Sequence, residues 1–352
     1  RPAPHRPRVP DAVRRLVEDG VRRHVYPGAT WAVGDAQGIL DLGAAGTLSL
    51  QRCAARTRPA TRYDVASLTK ILATWTAVGA LWDRGRIDLE APLGGYWPRA
   101  AGYPVGNLTA RELLSHTAGL PLRAQLKHRY GTDPAAVRSG ILTEAVRRPP
   151  GEAVEYTDRA AMILGFLTED LTGRRLDAQA GPLWRALGLT ATGYGPLSPA
   201  ARAGCAPTEL DPETGLRPRG SVHDYSARIL GASCGSAGVF SHAPDLGRFL
   251  RHLLAGGTDG AHPGVSPAWT RLSLQVHTGG LTPARGLLWH PAPGTSPERD
   301  DVWAHYGFTG TGIWLSPRLG RWAVLLTNKI YYSRERRPLT EIRDAFRELV
   351  FC

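Results

Sequence analysis

The sequence predicts an α/β fold. An antiparallel sheet is built from the N- and C-terminal segments and flanked by helices, with a mainly helical lobe between them. Three observations carry this expectation. Strand-like runs lie early, at Thr30–Val33 and Ile39–Leu42, and again late, at Val302–Tyr306, Thr311–Leu315 and Trp322–Thr327. From Leu68 to about Leu254 the character is mainly helical, with long loops. The length of 352 residues suits one large domain or two closely packed lobes. The expected division is a discontinuous sheet lobe, 1–66 plus 276–352, and a helical lobe, 67–275, with a small-molecule site in the cleft between.

The elements follow in order. After a Pro-rich start, Asp11 to His24 sets Val13, Leu16, Val17 and Val21 on one helical face. Asp35-Ala36-Gln37-Gly38 has turn composition between the first two strands. Leu68, Ile71, Leu72, Trp75, Val78 and Leu81 recur at helical spacing, and Gly85 is a natural stop. Thr109-Ala110-Arg111-Glu112 is a capping box opening a short helix, ended by Gly119 and Pro121. Asp158 reads as the N-cap of a helix through Ile163, Leu164, Phe166 and Leu167 that stops at Gly173. Pro317-Arg318-Leu319-Gly320 turns between the last two strands, and Leu339 to Val350 forms a closing helix.

Composition narrows the function classes. Hydrophobic content of 42% is ordinary for a globular protein, and no apolar run approaches the ~18 residues of a membrane span. Cys53, Cys205, Cys234 and Cys352 are scattered, with neither metal-site spacing nor the density of a disulfide scaffold; a single bridge stays open. The net charge of +12 invites a nucleic-acid reading. However, the arginines are spread along the whole chain, and forty of them against three lysines resembles a GC-rich coding bias. No nucleic-acid or membrane partner is expected. The sequence opens on Arg1 with no signal-peptide core, so the expectation is a cytoplasmic protein, with a removed leader left open.

One of the three lysines follows a serine by three residues, in Ser67-Leu68-Thr69-Lys70. Positions i and i+3 share a helix face, so Lys70 can approach the Ser67 hydroxyl. Such a hydroxyl is a poor nucleophile until a base takes its proton. In the first turn of a helix, Ser67 would also sit where unpaired N–H groups favour developing negative charge. An ordinary serine near a helix start is the plainer alternative.

Two further motifs join it in order. Tyr156-Thr157-Asp158 follows Pro150-Gly151-Glu152, and His305-Tyr306-Gly307 precedes Phe308-Thr309-Gly310-Thr311. Together they resemble the serine β-lactamase-related family of penicillin-recognising SxxK acyl enzymes, which spans class C β-lactamases, D-amino-acid peptidases, esterases and some transacylases. Weaker matches are Leu113–Leu120, Val222-His223-Asp224 and Gly235–Ser241, so the resemblance runs from about residue 28 onward. It implies a cofactor-free and metal-free double displacement. Ser67 attacks an acyl carbonyl, Lys70 eases its deprotonation, and the Tyr156 phenol serves as general base. Lys70 and His305 would supply the positive charge that such a phenol needs. The backbone N–H groups of Ser67 and Phe308 match the oxyanion hole, and Asp158, Tyr306 and Gly307 match substrate-side positions. His116, His223 and Asp224 read as structural rather than catalytic.

The departures from the family pattern matter. Asp158 stands where asparagine is usual and could pair with Lys70 to hold it protonated. His305 and Tyr306 replace a lysine and a threonine that serve the carboxylate of β-lactams. These changes suit an ester, thioester or amide lacking that carboxylate. The expected partner is therefore a small-molecule acyl donor, hydrolysed or, in a transacylase, relieved of its acyl group by an amine or alcohol acceptor. A non-catalytic ligand sensor on the same fold is the distant alternative. Trp289 and Trp303, close before His305, would wall the cleft or simply pack the core.

Overall fold

The computed structural model describes residues 9–231, 233–256, 262–295 and 302–352. Nine strands are named in chain order: β1 Gly28–Asp35, β2 Ile39–Gly46, β3 Tyr63–Asp64, β4 Gly193–Tyr194, β5 Val239–Ser241, β6 His290–Pro291, β7 Trp303–Gly307, β8 Thr311–Ser316 and β9 Arg321–Thr327. Six form one sheet of order β2-β1-β9-β8-β7-β6, antiparallel at every pairing. Both chain ends thus meet in one sheet, as expected. The first hairpin is tightened by the Asp35 carboxylate, which accepts from the Gln37 and Gly38 amides.

Each face of the sheet is covered, which is why β1 and β9 are almost wholly buried. On one side lie the helices Val9–Arg22 and Arg337–Phe351, whose Val13, Val17, Leu339, Ile342, Phe346 and Val350 pack with Trp31, Trp314 and Leu325. On the other lies the helix Ala243–Leu254, packed on β1 and β9. Its Gly247 admits the Trp322 ring where a Cβ would come within 2.5 Å. This helix belongs to the segment read as the helical lobe, and the core of that segment runs on without a break to Ala32, Trp322, Val324 and Leu326 of the sheet.

Within the middle segment, β3, β5 and β4 make a small three-stranded sheet that the sequence does not announce. Strands of two or three residues are too short to show a period of two. The helix after Ser67 also differs from the regular one expected. A 3₁₀ turn at Ala66–Leu68 leads into a π-helical stretch, Lys70–Trp75, and only Thr76–Asp83 is α-helical. Residues 68–79 are buried all round. Its polar side chains are therefore spent on neighbouring backbone: Thr69 accepts from the Val239 amide, and Thr74 donates to the Gly235 carbonyl. Irregular turns of this kind recur at functional sites.

All four cysteines are free thiols, Cys205 and Cys234 buried, Cys53 and Cys352 exposed. Among the described residues no helix is long and apolar enough to cross a membrane.

Candidate active site

Ser67 is presented by a short, heavily anchored turn. The Asp64 carboxylate accepts from the Ala66 amide and from the His223 amide, both at 2.9 Å. It thereby holds Ala66 at φ +48°, a left-handed conformation that costs a non-glycine residue ~1–2 kcal/mol. Around this turn closes the β7–β8 hairpin. Thr309 Oγ1 donates to the Asp64 carbonyl at 2.7 Å, and Thr311 Oγ1 to the Val65 carbonyl at 3.0 Å. Gly307 lies so close that an added Cβ would fall 2.0 Å from Thr311 Oγ1 and 2.5 Å from the Val65 oxygen. Glycine is the residue that allows this approach, and it brings the Phe308 backbone beside Ser67.

Lys70 is fully buried, and its ammonium meets three acceptors: Ser67 Oγ at 2.7 Å, Asp158 Oδ1 at 2.8 Å and the Ser236 carbonyl at 3.2 Å. Three protons have three partners. Burial works against the charged form, but the Asp158 carboxylate and Tyr156 outweigh it and hold Lys70 above the ordinary lysine range. Tyr156 completes the group with its hydroxyl 3.0 Å from Ser67 Oγ.

Asp158 is free to do this because it is not the helix cap. Thr157 takes that position, accepting from the Arg159 amide, and Asp158 is the first residue of the helix Asp158–Thr172. Both residues are good caps, and the carboxylate is drawn instead to the buried ammonium.

The charge beside Tyr156 also differs from expectation. His305 is buried, and desolvation together with Lys70 and its neighbours His290 and Arg285 pushes it well below the usual imidazole range. It is neutral at pH 7 and supplies no positive charge. Arg285 does, lying over the Tyr156 ring at 5.4 Å, with Lys70 over the same ring at 4.9 Å. Arg285 has no motif around it and was not legible among forty arginines. His116, also neutral through burial, packs its ring 4.7 Å from Tyr156 and accepts from the Thr157 amide.

His305 lines the cleft with Ser67, Tyr156, Gly307 and Phe308, and the volume enclosed is about 390 Å³. Tyr306 borders the same cleft, but its hydroxyl accepts from Trp314 Nε1. Asp224 caps the helix Tyr225–Leu230, and His223 pairs with Glu209 at 2.7 Å. The tryptophans are not cleft walls. Trp289 and Trp303 are buried in the main core, and Trp289 meets Trp75 edge-on at 5.9 Å. An indole near a strand motif reads the same in sequence whether it faces cleft or core.

Comparison with known proteins agrees with this architecture. A family model described as beta-lactamase matches residues 13–346. An Escherichia coli K12 protein provisionally named as a D-alanyl-D-alanine carboxypeptidase is 30% identical over 309 residues, covering 76% of this chain and 69% of its own. Two solved structures share the fold at lower identity. The class C beta-lactamase of Rhodobacter sphaeroides superposes with a TM-score of 0.75 at 21% identity, over 97% of this chain and 100% of that one. EstCE1, described as a hydrolase with promiscuous acyltransferase activity, gives 0.74 at 19% identity, over 96% and 98%. The motifs at Ser67, Tyr156 and His305 all fall within the matched span, and the chain belongs to the beta-lactamase family.

Proposed function

We propose that this protein is a serine acyl enzyme that forms an acyl-Ser67 intermediate and hydrolyses an ester or amide of a small molecule. The observation that carries this is Ser67 Oγ held between Lys70 Nζ at 2.7 Å and the Tyr156 hydroxyl at 3.0 Å. An ammonium with all three protons engaged cannot accept a fourth, so Tyr156 is the base. As Ser67 Oγ bonds to the acyl carbon, its proton passes to the Tyr156 oxygen. The carbonyl oxygen takes up negative charge facing the Ser67 and Phe308 N–H groups, a donor pair of the kind worth ~3 kcal/mol each. Collapse expels the leaving group, which receives the proton back from Tyr156. Water then repeats the sequence on the acyl-enzyme. Lys70 and Arg285, over the Tyr156 ring at 4.9 and 5.4 Å, keep positive charge beside the base throughout the cycle.

Acyl transfer is the second reading, and it needs only an amine or alcohol in the place of that water. EstCE1, whose description joins hydrolysis to acyl transfer, makes the pairing reasonable on this fold. Both readings share one test. An activated aryl acetate should add a single acetyl mass to the intact protein, located on Ser67 by peptide mapping and absent in Ser67→Ala. An adduct on another residue, such as the buried Cys234 thiol, refutes the assignment. Rising concentrations of a primary amine or alcohol then separate the two readings, because a saturable transfer product requires an acceptor site.

A further inference from the structure

Charge is unevenly distributed in the cleft. Arg285, Lys329, Arg334, Arg336 and Arg343 all line it, and Asp344 is the acid among the lining residues. Arg334 is already neutralised by Glu209 at 2.6 Å, and Arg285 lies against Tyr156. Lys329, Arg336 and Arg343 remain, and none has a carboxylate at ion-pair distance among the described residues.

Lys329 sits in a 3₁₀ turn directly after β9 and is 5% exposed. Its ammonium has no hydrogen-bond acceptor among the described residues. Arg343 reaches in from the C-terminal helix, lies over the Tyr306 ring at 4.4 Å and spends Nη2 on the carbonyls of Gly307 (3.1 Å) and Thr311 (2.7 Å), leaving its other nitrogens without a hydrogen-bond acceptor among the described residues. Burial lowers both groups. Arg343 falls to about 10, with Tyr306 and Asp344 opposing and Arg336 adding to the effect, and Lys329 is lowered further by Arg343 against the pull of Glu335 and Glu209. Like charges held together in a partly desolvated cleft are a standing cost, and a bound anion removes it. The Gly307 carbonyl that Arg343 touches immediately precedes Phe308, so these cations adjoin the acyl-transfer centre.

We propose that Lys329, Arg336 and Arg343 form a subsite for a phosphate-type anionic group on the molecule that delivers or accepts the acyl group. Three unpaired cations suit a group carrying more than one negative charge and several acceptor oxygens better than a single carboxylate. This rests on the acyl-Ser67 reading, and it adds an anionic group to the ester, thioester or amide lacking the β-lactam carboxylate that the third motif suits. The charge lost at His305 is supplied instead from the C-terminal helix and the turn after β9.

Three acetate esters with related aryl leaving groups test it: 4-acetoxybenzamide, 4-acetoxybenzoate and 4-acetoxyphenyl phosphate. Each kcat/KM is divided by that ester's rate with hydroxide. The phosphate ester should exceed the benzamide by ~10-fold or more at low salt, and the ratio should shrink as ionic strength rises. Lys329→Met should lower the ratio several-fold. Arg336→Gln, at an exposed position that folding does not depend on, should lower it too. Equal values for all three esters overturn the subsite, as does a phosphate preference that neither substitution changes. A benzoate preferred over the phosphate overturns the phosphate assignment. Failure of every ester to acylate Ser67 instead overturns the acyl-enzyme reading beneath it.

Discussion

Replacing Asp158 with asparagine isolates what the carboxylate does to Lys70. The amide is isosteric and its oxygen still accepts from Nζ, so a charge is removed while a contact is kept. Two unit charges 2.8 Å apart attract by about 6 kcal/mol at an effective dielectric of ~20. The Asp158 side chain is 39% exposed, and solvent screening cuts this to roughly 2–3 kcal/mol. At ~1.36 kcal/mol per pH unit, Lys70 should then lose its proton about 2 pH units earlier than in the native enzyme. The sign is definite. Lys70 is raised in the folded state, so its contribution to stability is fully present below the unfolded lysine value near ~10.4 and is lost only as pH rises through the folded value. The variant should therefore lose roughly 2–3 kcal/mol of unfolding free energy at pH 7 in urea titrations. Its kcat/KM for a neutral aryl ester should also gain an alkaline limb about 2 pH units below any shown by the native protein. An unchanged pH profile together with unchanged stability would mean that Asp158 does not hold Lys70 charged, and the case for Tyr156 as base would lose its foundation.

Further outcomes are expected. Tyr156→Phe keeps the ring between Lys70 and Arg285 and deletes only the hydroxyl, so turnover should drop ~10²–10⁴-fold with the fold intact; near-native turnover would return the base role to Lys70. Lys70→Ala should be comparably damaging, and the double variant little worse than either single one, because the pair acts as a unit. Arg285→Met should lower kcat for neutral esters ~10-fold, with partial recovery in Arg285→Lys; a change in KM alone would make Arg285 a substrate contact instead. Acid should destabilise the protein. Burial depresses His116, His290 (to about 4) and His305, so the unfolded chain takes up protons below pH ~6.5 that the native state refuses, at a cost of roughly 2 kcal/mol each between pH 7 and 5. His290→Gln should flatten that slope in thermal melts, and a native stability that stays level across this window contradicts the neutral buried histidines.

What could be read from the sequence was what local rules govern. Thr109 and Glu112 form the reciprocal capping box their spacing announces, and the late strands fall within a residue of expectation because alternation and turn chemistry act over a few neighbours. Ser67, Lys70 and Tyr156 converge as their motifs imply. What escaped were choices between equivalent local options, settled by distant groups. Thr157 and Asp158 can each cap a helix, and it is the Lys70 ammonium, 88 positions away in sequence, that claims the carboxylate. The run after Ser67 has α-helical spacing, but burial on every side and the threonine bonds to the Gly235–Val239 segment draw it into a π turn. Arg285, Lys329 and Arg343 carry no local pattern at all, so only the tertiary structure distinguishes them from the other basic side chains.

The charge pattern of the site has a single logic. Relative to the family pattern, the third motif exchanges a lysine for the neutral His305, and the second exchanges an asparagine for the anionic Asp158. Each exchange lowers the net charge around Ser67 by one unit. Left uncompensated, a phenolate at Tyr156 would face Lys70 already balanced by Asp158. Arg285 restores a cation over the opposite side of that ring. With its Nε buried and unpartnered, it makes no competing ion pair among the described residues. Under the two proposals, the base is separated from the substrate's anion: Lys70 and Arg285 serve Tyr156, while Lys329, Arg336 and Arg343 are left for the ligand. A lysine in the third motif would stand between the two duties. Dividing them lets the ligand's charge change without moving the cations on which proton transfer depends.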